Sequence, residues 1–289
     1  MQTDNLHRFL IDNTNVRGEW VHLDETWQQL LACADYPAWV KKILGEALAA
    51  TMLLSATLKY NGTLSLQVAG TGAINLLLIQ ATSEGTVRGL ARYKQEPASE
   101  KLQDLFGDGH LVITIEPNDM GERYQGVVSL ASDTLSEALA NYFEQSEQLP
   151  TRLWLASGDN SVAGLLLQKL PNAEHEDEDG WNRCVQLADT VTDGELLSLD
   201  IETLLHRLFH EEDLRIFEGD AIKFQCSCSQ DKIEAMVHSL GQEEAEKILD
   251  EQQEIAVDCE FCNRHYQLDA IDVKRIFTEN AVNSDTTVH

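Results

Sequence analysis

Basic residues are scarce in this sequence of 289 residues, which contains 21 Lys and Arg against 49 Asp and Glu and has a formal net charge of −28. Proteins bind nucleic acids mainly by neutralising phosphates with Lys and Arg, so we expect no nucleic-acid partner. Long hydrophobic runs are also missing, and runs such as residues 76–79 have only the length of a strand. The sequence therefore predicts no membrane-spanning helix and no membrane partner.

Signatures of common catalytic sites are missing as well. The sequence has neither the Gly-x-Ser-x-Gly motif of serine hydrolases nor the His-Glu-x-x-His motif of zinc proteases. Gly70 and Gly72 lack the third glycine and the Lys-Ser/Thr of a phosphate-binding loop, so we interpret them as a hairpin turn. Residues 1–15 lack the basic and apolar stretches of a secretory signal. We therefore expect a protein that is not an enzyme and that works in the reducing cytoplasm.

Four of the six cysteines lie near the C-terminus in two pairs. Cys226 and Cys228 form a Cys-x-Cys pair, and Cys259 and Cys262 form a Cys-x-x-Cys pair about thirty residues later. Two such pairs are typical of a closed, tetrahedral zinc site with four thiolate ligands. The spacing alone leaves three interpretations open, which are a structural zinc ribbon, two structural disulfides, or a zinc site that also senses oxidants.

The fold class predicted for the chain is α+β, in three parts. Residues 1–172 form a domain of mainly antiparallel sheet with packed helices, because the turns between its strands are too short for parallel crossovers. Helices are expected from Asp24 towards Cys33 and over 38–59 and 132–147. Strands are expected over 63–69, 73–81, 86–93, 111–116, 124–130 and 151–156.

Residues 173–225, which we call the linker segment, are strongly acidic and predict short helices from residue 181 to about residue 217. Thr192 and Glu195 match a capping box. Helices this short are marginal in water, and their like charges repel, so the segment is metastable unless an apolar face docks it elsewhere. The residues expected on that face are Leu196, Leu197, Leu204, Leu205, Leu208 and Phe209.

Residues 226–289 predict a small third domain around the four cysteines. Its pattern favours helix over 231–250 with a break at Gly241, a strand over 264–268 and a helix over 270–277. A chain this short has a small hydrophobic core and usually needs additional stabilisation by disulfides or a metal ion. Structural zinc contributes on the order of 10–16 kcal/mol, so removal of the metal should unfold this domain. We interpret the other two cysteines, Cys33 and Cys184, as buried packing residues.

Four stretches of the chain resemble the family of the redox-regulated heat shock protein 33. They are residues 224–229 and 259–262, which contain the cysteine pairs, residues 205–212 of the linker segment, and residues 69–72 with the strands that follow them. The resemblance implies a cytoplasmic, ATP-independent holdase that is active under stress. It also implies that Cys226, Cys228, Cys259 and Cys262 bind one zinc ion in the reduced, inactive state.

The resemblance further implies how the protein is activated. Oxidants such as peroxide would form the disulfides Cys226–Cys228 and Cys259–Cys262 and release the zinc. The linker segment would then unfold, and the protein would bind unfolding client proteins, typically as a homodimer. An undocked apolar face is available for such binding. The alternative function is a thiol-disulfide oxidoreductase that uses Cys259 and Cys262, although the βαβ context of such enzymes is missing.

Overall fold

The computed structural model describes residues 4–119, 121–171, 177 and 179–284, with only the backbone for 279–284. The chain divides into two compact units, Met1–Gln225 and Cys226–His289. The division falls directly before the first cysteine of the C-terminal cluster. In the described part of the chain, no helix is both long enough and apolar enough to cross a membrane.

The first unit contains two sheets and the helices that cover them. In chain order its elements are β1 (Asn5–Ile11), β2 (Val16–Leu23), α1 (Glu25–Leu31), α2 (Ala38–Thr57), β3 (Gly62–Ala69), β4 (Ile74–Thr82), β5 (Thr86–Tyr93), α3 (Leu102–Phe106), β6 (His110–Pro117), β7 (Tyr124–Val128), α4 (Leu135–Tyr142), β8 (Thr151–Ser157), β9 (Val162–Lys169), α5 (Gly180–Ala188), α6 (Asp193–Ser198), α7 (Ile201–Phe209), β10 (Leu214–Ile216), β11 (Asp220–Ala221) and β12 (Lys223–Phe224).

The first sheet has the strand order β10-β1-β2-β9-β8, with β11 also paired to β1, and the second has the order β12-β5-β4-β3-β6-β7. Among the described residues, every pairing is antiparallel except that of β12 with β5. The prediction of mainly antiparallel sheet is therefore confirmed. Antiparallel strands need only short turns, which is what the spacing of Gly and polar residues indicates.

Helix α2 supplies much of the core between the two sheets. Its side chains are buried along most of its length, and they pack against β2, β8 and β9 of the first sheet and β3 to β5 of the second. The helix approaches β8 and β9 closely at Gly45, where a Cβ atom would lie 2.2 Å from Ser157 Oγ. A larger residue at this position would push the helix away from the sheet.

Some strands differ from the sequence-based expectation. The sequence pattern does not predict β1, β2 and β9, and residues 214–216 form a strand although the pattern predicts helix to about residue 217. The short strands β10 to β12 exist because they pair with β1 and β5, more than a hundred residues earlier in the chain. A local pattern does not reveal such pairings.

The second unit consists of α8 (Gln230–Leu240), α9 (Gln242–Gln252), β13 (Ile255–Asp258), β14 (His265–Leu268) and α10 (Ala270–Ser284). The two strands form an antiparallel hairpin. Gly241 has φ +89° and separates α8 from α9, as the sequence predicts. Strand β14 corresponds to the strand predicted over 264–268. Its partner β13 is not predicted by the sequence pattern.

Candidate metal centre

Each cysteine pair of the second unit lies on a short segment beside a regular element. Cys226 and Cys228 directly precede α8, whose N-cap Ser229 accepts a hydrogen bond from the backbone of Lys232. Cys259 and Cys262 lie in the turn that joins β13 to β14. The turn is closed by hydrogen bonds from Cys259 N to Arg264 O and from Asn263 N to Cys259 O, at 3.0 and 2.7 Å.

The fold brings the four sulfur atoms together. All four lie within 4.8 Å of one another, and Sγ–Sγ distances across the two pairs are 3.6 Å for Cys226 and Cys259 and 3.4 Å for Cys228 and Cys262. Sulfurs bonded to one tetrahedral zinc ion at about 2.3 Å are about 3.8 Å apart. The sulfurs are far beyond disulfide bonding distance, and all six cysteines are free. The cluster could therefore hold a metal ion.

The surroundings shift the pKa of three of the clustered cysteine thiols. Burial raises the pKa of Cys226 and of Cys262, and contacts with neighbouring cysteines raise the pKa of Cys262 further. Burial also acts to raise the pKa of Cys228, but the influence of the neighbouring Tyr266 and of the other three cysteines outweighs it and lowers this pKa to about 7. The adjacent N-terminus of α8 also favours a thiolate at Cys228.

The linker segment packs on the first sheet of the first unit. Five of the six residues predicted on its apolar face are buried, and the sixth, Leu197, is half-buried. They cover a face formed by Phe9, Val16, Trp20 and Leu165. Phe209 is fully buried, and its ring centroid lies 6.5 Å from that of Phe9. The apolar face of the linker segment therefore docks on this sheet.

Polar contacts fix the ends of the linker helices. Thr192 and Glu195 form the predicted capping box at the start of α6. The Asp200 carboxylate caps α7 by accepting from Thr203 N at 2.9 Å, and this bond is the largest cause of the lowered pKa of Asp200. Arg183 on α5 donates to Glu212 at 2.6 Å, which connects the first linker helix to the residues after the last one.

The two remaining cysteines differ from each other. Cys184 on α5 is fully buried in the linker interface, and burial raises its pKa to about 11. This confirms its packing role. Cys33 lies just after α1 and is half-buried, and its thiol donates to Gln29 O at 3.3 Å. The prediction that Cys33 is buried was wrong, because the chain turns at the surface directly after the helix.

Comparison with known proteins identifies the family of this chain. A sequence model described as "Hsp33 protein" matches residues 4–269. The chain belongs to the Hsp33 family. This confirms the resemblance carried by the cysteine pairs and the linker motif.

Relatives share nearly the whole length of this Hsp33 chain. A "33 kDa chaperonin" of Nitrosococcus oceani is 49% identical over 276 residues, which cover 96% of this chain and 95% of the relative. One from Methylobacillus flagellatus is 44% identical, with 97% and 96% covered. The crystal structure of a 33 kDa chaperonin from Thermotoga maritima matches with a TM-score of 0.83 and 22% identity, over 96% of this chain and 99% of that one. The last match shows that the fold is shared.

Proposed function

We propose that this Hsp33-family chain is a redox-regulated, ATP-independent holdase chaperone of the cytoplasm. The observation that supports it most is the docked linker segment, an acidic stretch whose short helices cover a large apolar face of the first sheet. Such a segment has little stability apart from its docking site. Once undocked, it exposes two apolar surfaces that unfolding proteins can bind.

The resident metal of the proposed inactive state is one zinc ion. Cys226, Cys228, Cys259 and Cys262 would hold it, because four clustered thiolates at tetrahedral spacing form a donor set that zinc prefers. The ion would supply folding free energy on the order of 10–16 kcal/mol. Through the ion, the cysteine side chains would connect the segment before α8 to the turn between β13 and β14. Apart from the ion, a small hydrophobic cluster stabilises this unit.

The proposed trigger is a two-electron oxidant such as hydrogen peroxide. A cysteine thiolate attacks one peroxide oxygen, an S–O bond forms, the O–O bond breaks, and hydroxide leaves and takes up a proton. The sulfur of a neighbouring cysteine then attacks the sulfenic acid, an S–S bond forms, and the oxygen leaves as water. Two such reactions consume two peroxides and all four ligands. We propose the pairs Cys226–Cys228 and Cys259–Cys262, as the family resemblance implies.

The proposed consequence is the unfolding of the C-terminal unit and of the linker segment. Strand β12 ends two residues before Cys226, so loss of order at the cysteines removes support at the end of the linker segment. Undocking would expose the sheet face around Phe9, Trp20 and Leu165. The net charge of −28 would keep the opened protein soluble, and homodimers would present two such faces to one client.

The test compares two redox states of the same preparation. Zinc-loaded reduced protein and peroxide-treated protein are added to a heat-unfolding client, and its aggregation is followed by light scattering. Only the oxidised form should suppress aggregation, and reduction in the presence of zinc should abolish the protection. Equal protection in both states would overturn the proposal. Disulfide mapping by mass spectrometry of the same samples checks the pairing, since cross-pair disulfides would contradict it.

The same samples also test the oxidoreductase alternative. Cys259 and Cys262 lie in a hairpin turn, whereas the reactive cysteine of thioredoxin-like enzymes is activated at a helix N-terminus. We therefore expect no turnover in an insulin-reduction assay. Catalytic reduction of insulin at a rate comparable to that of a thioredoxin would favour the enzyme.

A further inference from the structure

The last residues of the linker segment connect the two sheets of the first unit. Residues 213–225, which we call the strap, contain β10, β11 and β12. The first two of these strands pair with β1 of the first sheet, and β12 pairs with β5 of the second. The strap is outermost in both sheets, so β1 and β5 would be edge strands without it.

Backbone hydrogen bonds hold the strap on both sheets. The N–H groups of Phe217 and Ile222 donate to backbone oxygens of β1 and of the residue before it, at 2.9 and 2.8 Å. Those of Lys223 and Gln225 donate to backbone oxygens of β5 and of the residue before it, both at 3.0 Å. Every residue except proline carries such a donor. The strap therefore shows how each edge accepts an extended chain largely regardless of its side chains.

The side chains of the strap contribute at few points. Its ion pairs to Asp12 and Arg8 join side chains that are 37–60% exposed, and ion pairs this exposed contribute little. All of the strap is described, and Ile222 is its only buried residue. Ile222 belongs to the core between the two sheets and is 6% exposed. The two edges thus accept an extended backbone together with one buried apolar side chain.

We propose that the edges of β1 and β5 bind extended segments of unfolding client proteins by strand addition, in the place that the strap leaves when the linker segment undocks. A free edge strand presents a row of unpaired N–H and C=O groups to any extended chain. Pairing through the backbone suits a holdase, which has to bind clients of many sequences. The position of Ile222 adds a preference for a branched apolar side chain. This inference rests on the proposed function and deepens it, because it names how the client is bound.

A synthetic, fluorescently labelled peptide with the sequence of residues 213–225 is the probe for the two edges. Its anisotropy is measured with full-length protein, either reduced and zinc-loaded or treated with peroxide. We expect the oxidised form to bind it about tenfold more tightly or better, because the reduced form keeps its own strap in place. Equal affinity for the two forms, or no binding to the oxidised form, would overturn the inference.

Methylation of single backbone nitrogens of the peptide distinguishes strand addition from other binding. A methyl group on the nitrogen of Phe217 removes a donor to β1, and one on that of Lys223 removes a donor to the edge of β5. Each should lower the affinity about fivefold. The matched control is methylation at Ile216, whose N–H points away from β1 because these groups alternate along a strand. Equal affinities of the three methylated peptides would overturn the inference.

Competition connects the two edges with client binding. Oxidised protein is mixed with a heat-unfolding client, and light scattering is followed while the unlabelled peptide is added. The peptide should displace the client, so that aggregation resumes. A client that stays protected at saturating peptide would overturn the inference and leave the proposed function intact. Absence of protection without any peptide would instead overturn the proposed function and, with it, the inference.

Hydrogen exchange in the full-length protein shows whether the edge of β1 is occupied. The N–H of Asp12 donates to Asp213 O at 2.8 Å, so its protection reports a chain at this edge. Protection should be lost on oxidation and return when client is bound, whereas Val21 inside the sheet stays protected. Lasting protection of Asp12 in oxidised protein without client would show that a strap, from the same or a second copy, fills the edge. That result would overturn the inference.

A matched pair of substitutions tests the buried side chain of the strap. Ile222→Ala should let the reduced protein bind the labelled peptide about tenfold more tightly than the wild type does, because the strap loses its apolar contact with the core. Ile216→Ala makes the same change at a side chain that is 37% exposed and should leave the affinity unchanged. Equal affinities in variants of equal zinc content would overturn the inference. Should Ile222→Ala fail to retain zinc, the methylated peptides and the wild-type protein decide.

Discussion

The linker helices α5 to α7 and the C-terminal unit are both too small to be stable by burial of their own side chains, yet they are held in different ways. The linker helices have six to nine residues each, and their buried side chains lie against the first sheet. Among the described residues, the C-terminal unit has a separate cluster of eight buried side chains, and Cys228 and Cys259 pack against it. We expect the first region to depend on its apolar interface and the second on its four sulfurs.

This difference gives the two regions different sensitivities. An apolar interface does not respond to oxidants or chelators, whereas a cluster of thiolates responds to both. Conversely, loss of a buried methyl or ring affects the interface and leaves the sulfurs in place. Under the proposed function, this difference would convert a chemical signal into exposure of apolar surface. The following predictions separate the two kinds of support.

The largest effect is expected from removal of the metal ligands. Chelation of zinc from the reduced protein, or Cys259→Ser, should unfold the C-terminal unit, because metal binding contributes on the order of 10–16 kcal/mol there. Hydrogen exchange should show loss of amide protection in β13 and β14, while β3 and β4 of the first unit remain protected. The linker segment should also become more sensitive to protease without any oxidant.

Cys33→Ser is the matched control for this prediction, because Cys33 lies outside the cluster. It should leave zinc content and amide protection unchanged. A Cys259→Ser protein with full zinc content and an unchanged protease-resistant linker segment would show that the four sulfurs do not support these regions.

The second prediction breaks the apolar interface and spares the sulfurs. Phe209→Ala should destabilise the docked linker segment by about 3–5 kcal/mol, because the ring is fully buried. The segment should become protease-sensitive and the reduced protein should bind clients, with zinc content unchanged. The control Phe217→Ala makes the same change at a side chain that is 44% exposed, where about 0.5 kcal/mol or less is expected. Equal behaviour of the two variants would contradict docking by this face.

The third prediction concerns the effect of pH on the linker segment. The pKa of Asp200 is lowered mainly by the backbone N–H of Thr203, so the ionised cap stabilises α7 fully above the unfolded pKa of about 3.9. This stability is lost as the pH falls through the lowered folded pKa. Asp200→Asn keeps a good cap that does not titrate. On acidification below about pH 4, the wild type should therefore lose more of its helix stability at α7 than the variant does.

The measurement is hydrogen exchange at the amide of Thr203 in both proteins. Both proteins are compared after removal of the metal at every pH, so that release of the metal by acid does not contribute to the pH profiles. Asp200→Ala, which has no cap at any pH, gives the lower limit. Identical pH profiles of wild type and Asp200→Asn would show that the cap contributes nothing.

The smallest effect is expected from a substitution that strengthens the linker segment. Gly194 lies in α6, no atom lies within 4 Å of the Cβ that a substitution would add, and its φ is not in the left-handed region. Gly194→Ala should stabilise the segment by about 0.5–1 kcal/mol, because alanine loses less entropy in a helix. Client binding at a given degree of oxidation should decrease, as measured by light scattering, while zinc release by peroxide stays at the wild-type rate. Unchanged client binding would indicate that linker stability does not limit activation.

Much of the candidate site could be predicted from the sequence because its signals are local. The spacing of the two cysteine pairs indicated four ligands, and the fold brings their sulfurs within 4.8 Å. The capping box at Thr192 and the apolar spacing of α7 indicated the linker helices, which the structure confirms. The burial of Cys184 was also predicted correctly.

Features that depend on distant parts of the chain were not predicted. Strand β10 forms because Leu214 pairs with Ile11, and β13 forms because Val257 pairs with Tyr266. Nothing in the spacing around Tyr266 indicates that its hydroxyl is buried. The signal available was only the presence of an aromatic residue with a polar end near a predicted metal ligand.

The sequence by itself determined which residues could bind a metal and which segment consists of short helices, because ligand chemistry and helix length are properties of residue types at short spacing. Only the tertiary structure decided what the linker segment covers and which groups surround each sulfur. Those contacts join residues that are far apart in the chain, and they depend on how the strands pair and how the side chains pack, which short-range patterns leave undetermined.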